Sequence, residues 1–298
     1  MELYLDRNLH QYYDSDGVGY KSVTTLIGEY SRGFSANIVA GKCAEIGTNP
    51  SHPKYWKYYN KTKEDITKQW KELSAKALAR GNKIHNDLEW SMNVSNGYSA
   101  TAMDFIGMPL FTIQDVIDNK YVGEVNLNIL QETPMYLEYP EIYRIVEKLV
   151  WDGYKLYAEV GVKDDDVAGL IDLIAIKENR FKIIDYKSNL NPITDKAGYF
   201  EKDFNGKIIG EFICTNAKLK KPVNHLEDSV LNKFTLQVSK YAEMVEKYGL
   251  VLEELIICHI KEDNIVDIIT PEYLKSEVER ITYHYFNERP VIIRSTLW

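Results

Sequence analysis

Cysteine is scarce in this chain. Cys43, Cys214 and Cys258 stand far apart and form no C-x-x-C, so they build neither a zinc ribbon nor a disulfide framework. Such usage predicts a reducing, cytoplasmic compartment. Positive charge is also in short supply. Lys and Arg number 36 against 44 Asp and Glu, a formal net charge of −8. That balance excludes a protein that holds nucleic acid by overall charge, as a histone-like binder does, and leaves room for a local basic groove. Long apolar runs are missing as well. No stretch approaches the roughly 20 apolar residues of a membrane span, and the opening MELYLDRNLHQYYD carries acids in place of a leader's apolar segment. The expectation is a protein with no membrane partner. What the chain has in plenty is tyrosine, 22 residues that serve core packing or base stacking. At 298 residues it can bury a core as one elaborated domain or two small ones, without a staple.

Hydrophobic periodicity changes several times along the chain. LYLD and HQYYD read as short strands around the turn-rich DSDGVG and predict a mobile hairpin. From Ser22 the pattern is helical, through SVTTLIGEY, SANIVAGKCAEIG and a long stretch from about Glu64 to Met92. There Ile66, Trp70, Leu73, Ala77, Ile84 and Leu88 form one apolar stripe. Residues 93–140 are mixed, with the strand-like YVGEVNLNIL, and read as an insertion or as partner elements. A helix is expected over Glu141–Trp151. YKLYAEVGV, VAGLIDLIAI and RFKIIDYKS follow as three strands, separated by KDDD and by a turn at Glu178-Asn179. Residues 189–228 are loop-rich and include the basic NAKLKKP, and a helix of about 20 residues then runs to Gly249. VLEELIICHI and NIVDIIT are strands, and a terminal helix starts on Pro271. The organisation expected is a hairpin and helical region over 1–140 and a core over 141–298, or both in one integrated domain.

Chemistry concentrates in the strand triplet. With Glu178 and Asn179 as loop residues, the hairpin register sets Asp172 opposite Asp185, Cβ atoms about 5 Å apart. Alternation puts Lys187 on the face of Asp185, and Glu159 on the face of Asp172 under either register of the KDDD turn. The neighbours Leu170, Ile171, Leu173, Ile174, Ile183 and Ile184 are apolar, as in strands covered on both faces. Carboxylates so close repel unless a proton or a cation intervenes. Mg²⁺ or Mn²⁺ meets that need and lowers the pKa of a bound water, while Lys187 can orient that water or offset charge on a phosphate. The spacing also suits a structural salt bridge between Asp172 and Lys187, with Asp185 at a strand end.

The order Glu159, Gly169-Leu-Ile-Asp172, Asp185-Tyr-Lys187 resembles the core of the PD-(D/E)XK nuclease superfamily, in particular its RecB-type exonuclease branch. Two further segments agree with it. ARGNKIHNDLE supplies His85 where that branch has a helix-borne His ligand, with Glu89 one turn later on the same face. Gly81, one turn before, removes a side chain and admits a close neighbour. Gln237-Val-Ser-Lys-Tyr241 matches the branch's Q-x-x-x-Y helix, and SVTTLI and NHLEDSVLNKFTLQVSKYAEMV are similar to phrases of its phage-type members. The resembling segments run in order from Ser22 to Ile260.

The resemblance implies an α/β, restriction-endonuclease-like fold: a mixed central sheet flanked by helices, with a helical N-terminal region. It implies an exonuclease that hydrolyses DNA from single-stranded or duplex ends in replication, recombination or repair, with proteins of those processes as partners. Mg²⁺ or Mn²⁺ would be held by His85, Asp172, Asp185 and the backbone carbonyl of Tyr186. Lys187 would assist attack, and Glu159 and Gln237 would complete the catalytic group. Gln237, Tyr241, Lys240, Lys220 and Lys221 would contact substrate. The iron–sulfur cysteines of some relatives are absent, so no cluster is expected. Lys233, Lys240 and Lys247 recur every seven residues on the Gln237 helix, and Lys218, Lys220 and Lys221 precede it, as phosphate contacts or as a solvated face. Two other readings are a DNA-binding or assembly subunit without turnover, and an endonuclease.

Overall fold

The computed structural model describes residues 2–6, 9, 11–98, 109–120 and 123–287. Three short strands, β1 Leu3–Asp6, β2 Gln11–Asp14 and β3 Gly19–Ser22, lead into α1 Val23–Glu29, where the Ser22 hydroxyl accepts from the Thr25 N–H and caps the helix. α2 Ala36–Ile46, α3 Tyr55–Tyr58 and the 33-residue α4 Lys63–Ser95 follow, the last opened by a capping box between Thr62 and Asp65. Short helices α5 Ile113–Ile117, α6 Leu127–Leu130 and α7 Pro134–Glu138 precede α8 Pro140–Trp151. The expected meander is β4 Lys155–Lys163, β5 Val167–Lys177 and β6 Arg180–Lys187. After it come a small hairpin, β7 Gly198–Lys202 and β8 Ile208–Cys214, then α9 Val230–Glu246, β9 Val251–Ile260, β10 Val266–Ile269 and α10 Lys275–Asn287.

The central sheet is mixed and has helices on both faces. Its order is β1-β2-β3-β5-β6-β9-β10, with β4 along the other edge of β5; β3–β5 and β6–β9 are parallel and the other pairs antiparallel. Val160, Ile171, Ile174, Ile183 and Ile257 pack with residues of α1, α9 and α10. Leu173, Ala175, Ile184 and Cys258 pack with residues of α4 and α6 to α8 on the opposite side. Coverage on both faces is why these strands read as nearly continuous apolar runs.

Several elements depart from the sequence-based expectation. The N-terminal hairpin is not set apart but joins the central sheet through β3. In YVGEVNLNIL the described part is irregular up to Asn126 and then helical, because the Asn126 side chain accepts from the N–H groups of Asn128 and Ile129. Tyr121, Val122 and residues 99–108 lie outside the described residues. The loop-rich 189–228 holds the β7–β8 hairpin. The last helix begins at Lys275, four residues late, since Leu274 donates its N–H to Ser239 Oγ and Tyr273 its hydroxyl to Glu246, which ties that segment to α9. The apolar stripe of α4 is buried only towards its ends. Ile66, Ile84 and Leu88 are buried, but Ser74–Ala79 is exposed throughout, because the helix bridges two cores. One is the main core; the other is a small one of Ala40, Cys43, Tyr58 and Ile66 with Trp70 and Phe204 packed on it.

Candidate metal centre and its cleft

The site lies in a gap along one edge of β5. β4 pairs with the opposite edge from Ala168 to Ile176, while on this edge β3 reaches only Val167 and Ala168, and β6 begins at Leu173. Gly169–Asp172 therefore has no strand partner on this edge among the described residues. A Cβ on Gly169 would stand 2.3 Å from the Tyr241 ring and 3.2 Å from Val23, so only glycine lets α9 and α1 close over the strand here. At the other end of the gap, Asp172 Oδ2 accepts the Tyr186 N–H at 2.6 Å, a backbone donor left without a β5 carbonyl where the strands part. The hairpin keeps the predicted register from Lys177↔Arg180 to Leu173↔Ile184, around Glu178 at a φ of 56°, and its ladder stops one position short of Asp172 and Asp185.

Glu159 reaches the same point by a kink in β4. The pairing with β5 passes from Ala158↔Leu173 to Val160↔Ile171 and omits Glu159, whose φ of 50° is left-handed. For a residue with a Cβ that conformation costs about 1–3 kcal/mol, and such strain collects at functional sites. It also resets the alternation, so that Tyr157 and Val160 share one face. One ligand atom each of Glu159, Asp172 and His85 from α4 lies within 4.8 Å of the others. His85 Nδ1 is 3.5 Å from Asp172 Oδ1, and its ring stands edge-on to Tyr186. The backbone of Tyr186 meets this cluster through its N–H. At Gly81 the close neighbour is a side chain: a Cβ there would be 2.9 Å from Ser188 Oγ, and next to it Arg80 donates to the carbonyls of Ser188, Ile260 and Lys261. The helix and the ends of β6 and β9 are thereby held together.

Asp185 and Lys187 form the second half of the site. Lys187 Nζ is 2.7 Å from Asp185 Oδ2 and donates to Gln237 Oε1 at 3.1 Å; Gln237 Nε2 donates to Tyr241 Oη at 3.1 Å and, more weakly, to Asp185 Oδ1 at 3.5 Å. The ammonium also sits 4.7 Å from the ring centre of Phe234, a cation–π contact. Gln237 thus reaches the acid and the lysine from α9, contacts that the sequence reading, which gave it substrate or metal-bound water, did not include.

The electrostatics follow from crowding three acids round one imidazole. Burial opposes charge on His85, but Asp172 first, then Glu159 and Asp185, hold its pKa up to about 9. Burial likewise opposes charge on Asp172, yet His85, Lys187 and the Tyr186 N–H keep its pKa below the ordinary value. Asp185 goes the other way. Burial and the negative charge of Asp172 push it up to about 6, against the pull of Lys187. Two acids in one site are therefore driven apart, a pattern found where proton transfer is performed.

The cleft over these groups measures about 700 Å³. Its lining includes polar side chains to which the sequence reading gave no role: Ser22 and Thr24 on one wall, Asn82 and Asn86 from α4, Ser188 and Asn189 beyond the lysine. Asn82 and Asn86 carried a signal, being within one turn of His85. Asn189 carried none, although its Oδ1 is buried without a hydrogen-bond partner among the described residues and its carbonyl is held by His259 Nε2 at 2.7 Å. Glu89, one turn after His85, also lines the cleft and is only 5% exposed.

The lysines do not gather here. Lys240 is fully buried, with Nζ 2.6 Å from Asp164 Oδ2, 2.6 Å from Glu243 Oε2 and 3.1 Å from Thr282 Oγ1, so it joins no substrate surface. Lys247 belongs to the same ionic cluster and Lys233 pairs with Asp228. Lys220 donates to the Glu29 carbonyl, Lys221 is exposed, and neither lines the cleft. The heptad of lysines reflects internal ion pairs, which a spacing rule cannot tell from a phosphate-binding row.

No protein-family model matches the sequence, and no curated protein matches it. Among solved structures, the crystal structure of SSO0001 aligns with 60% of this chain and 72% of its own, at 13% identity and a TM-score of 0.23. A likeness of that size carries no argument about the site, which rests on its own geometry. No helix among the described residues is long and apolar enough to cross a membrane.

Proposed function

We propose that the chain is a divalent-metal-dependent DNA nuclease of the PD-(D/E)XK superfamily, with a restriction-endonuclease-like fold, that degrades DNA from its ends. The observation that carries this reading is the meeting of His85, Glu159 and Asp172 with the Asp185–Lys187–Gln237 group in one cleft. The donor set is one imidazole and carboxylate oxygens without a thiolate, which suits Mg²⁺ or Mn²⁺. His85, Glu159 and Asp172 would hold the ion, with Asp185 beside them. When bound, it supplies a Lewis acid for a phosphate oxygen and a lowered pKa for water. Lys187, aimed by Asp185 and Gln237, offers positive charge to the phosphate. Asp185, with a pKa raised to about 6, can take up and return a proton near neutral pH. The preference for ends over internal positions follows from the RecB-type order of motifs.

The test is incubation of end-labelled linear and closed circular DNA with the protein and Mg²⁺ or Mn²⁺, beside a chelator control and Asp185→Ala. Expected are loss of linear DNA, survival of circles, and a fall of about 10²-fold or more in rate for the variant. Undiminished cleavage by Asp185→Ala overturns the site. Cut circles convert the reading to an endonuclease, and binding without hydrolysis to a DNA-binding subunit.

A further inference from the structure

The small second core carries a surface that the cleft does not use. In KYWKYYNK, residues 54–61, Tyr58 turns inward and packs in the core of Ala40, Cys43 and Ile66. Its neighbours are left outside. Trp56 is 80% exposed and Tyr59 44%. Tyr55, Trp56 and Tyr59 form a cluster with ring centroids 4.9–5.6 Å apart, all in tilted or edge contact. No two of the three are stacked, so their faces are not spent on one another. Water solvates an indole poorly, and so much exposed aromatic surface in one place marks an interaction site.

The sequence around it is rich in positive charge, with Glu201 of the neighbouring hairpin paired to one of its lysines. Residues 32–83 hold eleven Lys and Arg against four Asp and Glu, in a chain of net charge −8. Lys54 and Lys57 lie beside the rings, anchored by Glu201 and by the Lys202 carbonyl, and Lys61 stands 4.9 Å from the Phe204 ring. Aromatic faces interleaved with ammonium groups match stacked bases on a phosphate backbone; an apolar or basic protein partner has no use for that charge.

We infer that Tyr55, Trp56 and Tyr59, with Lys54 and Lys61, form a stacking platform for single-stranded nucleic acid. The surface deepens the nuclease reading, on which its link to the metal centre rests. α4 joins the two places: from Lys63 to His85 it runs about 33 Å at 1.5 Å per residue. At the stacked spacing of about 3.4 Å, that distance takes about ten nucleotides. Lys71, Leu78 and His85 succeed one another at seven-residue spacing and so within about 40° of one line along the helix. Leu78 is 66% exposed and Lys71 is exposed, so an open track carrying one lysine leads along the helix towards the cleft. The platform takes the strand by its base faces, without reading sequence, and the cleft takes its phosphates.

The experiment measures binding of a labelled 20-nucleotide oligodeoxythymidylate by anisotropy, with chelator present, to the full chain and to Trp56→Ala/Tyr59→Ala. Binding about tenfold or more weaker in the double variant is expected, with Trp56→Phe close to the parent because it keeps an aromatic face. Inorganic polyphosphate, which has charge but no bases, should bind parent and double variant alike. Unchanged oligonucleotide binding in the double variant overturns the inference, as does an equal loss for polyphosphate. Addition of Mn²⁺ to the same parent samples reads hydrolysis separately. A parent that binds through these rings but never cleaves removes the nuclease reading and leaves the platform standing.

Discussion

At the residue scale, the site is a negotiation over protons. His85 keeps its proton because Asp172, Glu159 and Asp185 face it, and its folded pKa of about 9 lies above the ordinary 6.5. Its contribution to stability is therefore complete below pH 6.5 and is lost as pH rises through 9. Asp185 acts in the same direction at lower pH: its pKa, raised from 3.8 to about 6, makes ionisation a cost that grows across that interval. A cation relieves that cost and competes with the His85 proton, so Mn²⁺ should raise the melting temperature more at pH 9 than at pH 6.5, a comparison that thermal-shift measurements can make. Equal shifts at the two values would place the ion elsewhere. Asp172, Asp185 and Lys187 were legible because strand alternation and a two-residue turn place them by counting. His85 needed the resemblance, since a helix alone does not say which strand it crosses. The left-handed Glu159 left no trace in the sequence, because φ has no periodicity to read.

At the scale of elements, the same lysine spacing had two physical solutions, and α9 took the internal one. Asp164, from the turn between β4 and β5, meets Lys240 on α9 beside Thr282 of α10, so this ion cluster pins three elements together out of water. Removing one member leaves buried charge uncompensated. Lys240→Ala should lose about 3–5 kcal/mol in urea unfolding, whereas Lys233→Ala, whose partner lies nearer the surface, should change by about 1 kcal/mol or less. A Lys240→Ala protein as stable as the parent would mean that its ion pairs contribute nothing. Amphipathic helices such as α8 and α9 were legible from one buried face. YVGEVNLNIL was misread because its alternation looked like a strand while Asn126 capped a helix. The β7–β8 hairpin was missed because its apolar support comes from another place: Gly206, in its turn, sits against Leu73 of α4.

At the scale of the whole molecule, the alternation of strands and helices made a mixed α/β architecture readable, and the sheet with helices on both faces bears that out. Its division into a large and a small core was not readable, because one unbroken stripe on α4 looked like one buried face. The stretch Ser74–Ala79 touches neither core closely enough to be covered, and its Ala, Lys and Leu residues sustain the helix by propensity. Amide hydrogen exchange should therefore show a profile unusual for a continuous helix, with slow deuteration near Ile66 and near Leu88 and a fast window between them. Uniform slow exchange along α4 would contradict it. Were that window found, the helix would serve as an articulated shaft: its two ends would stay stable at the same time while the middle loosened and re-formed, and the small core would be free to change its angle to the sheet without either hydrophobic interior coming apart.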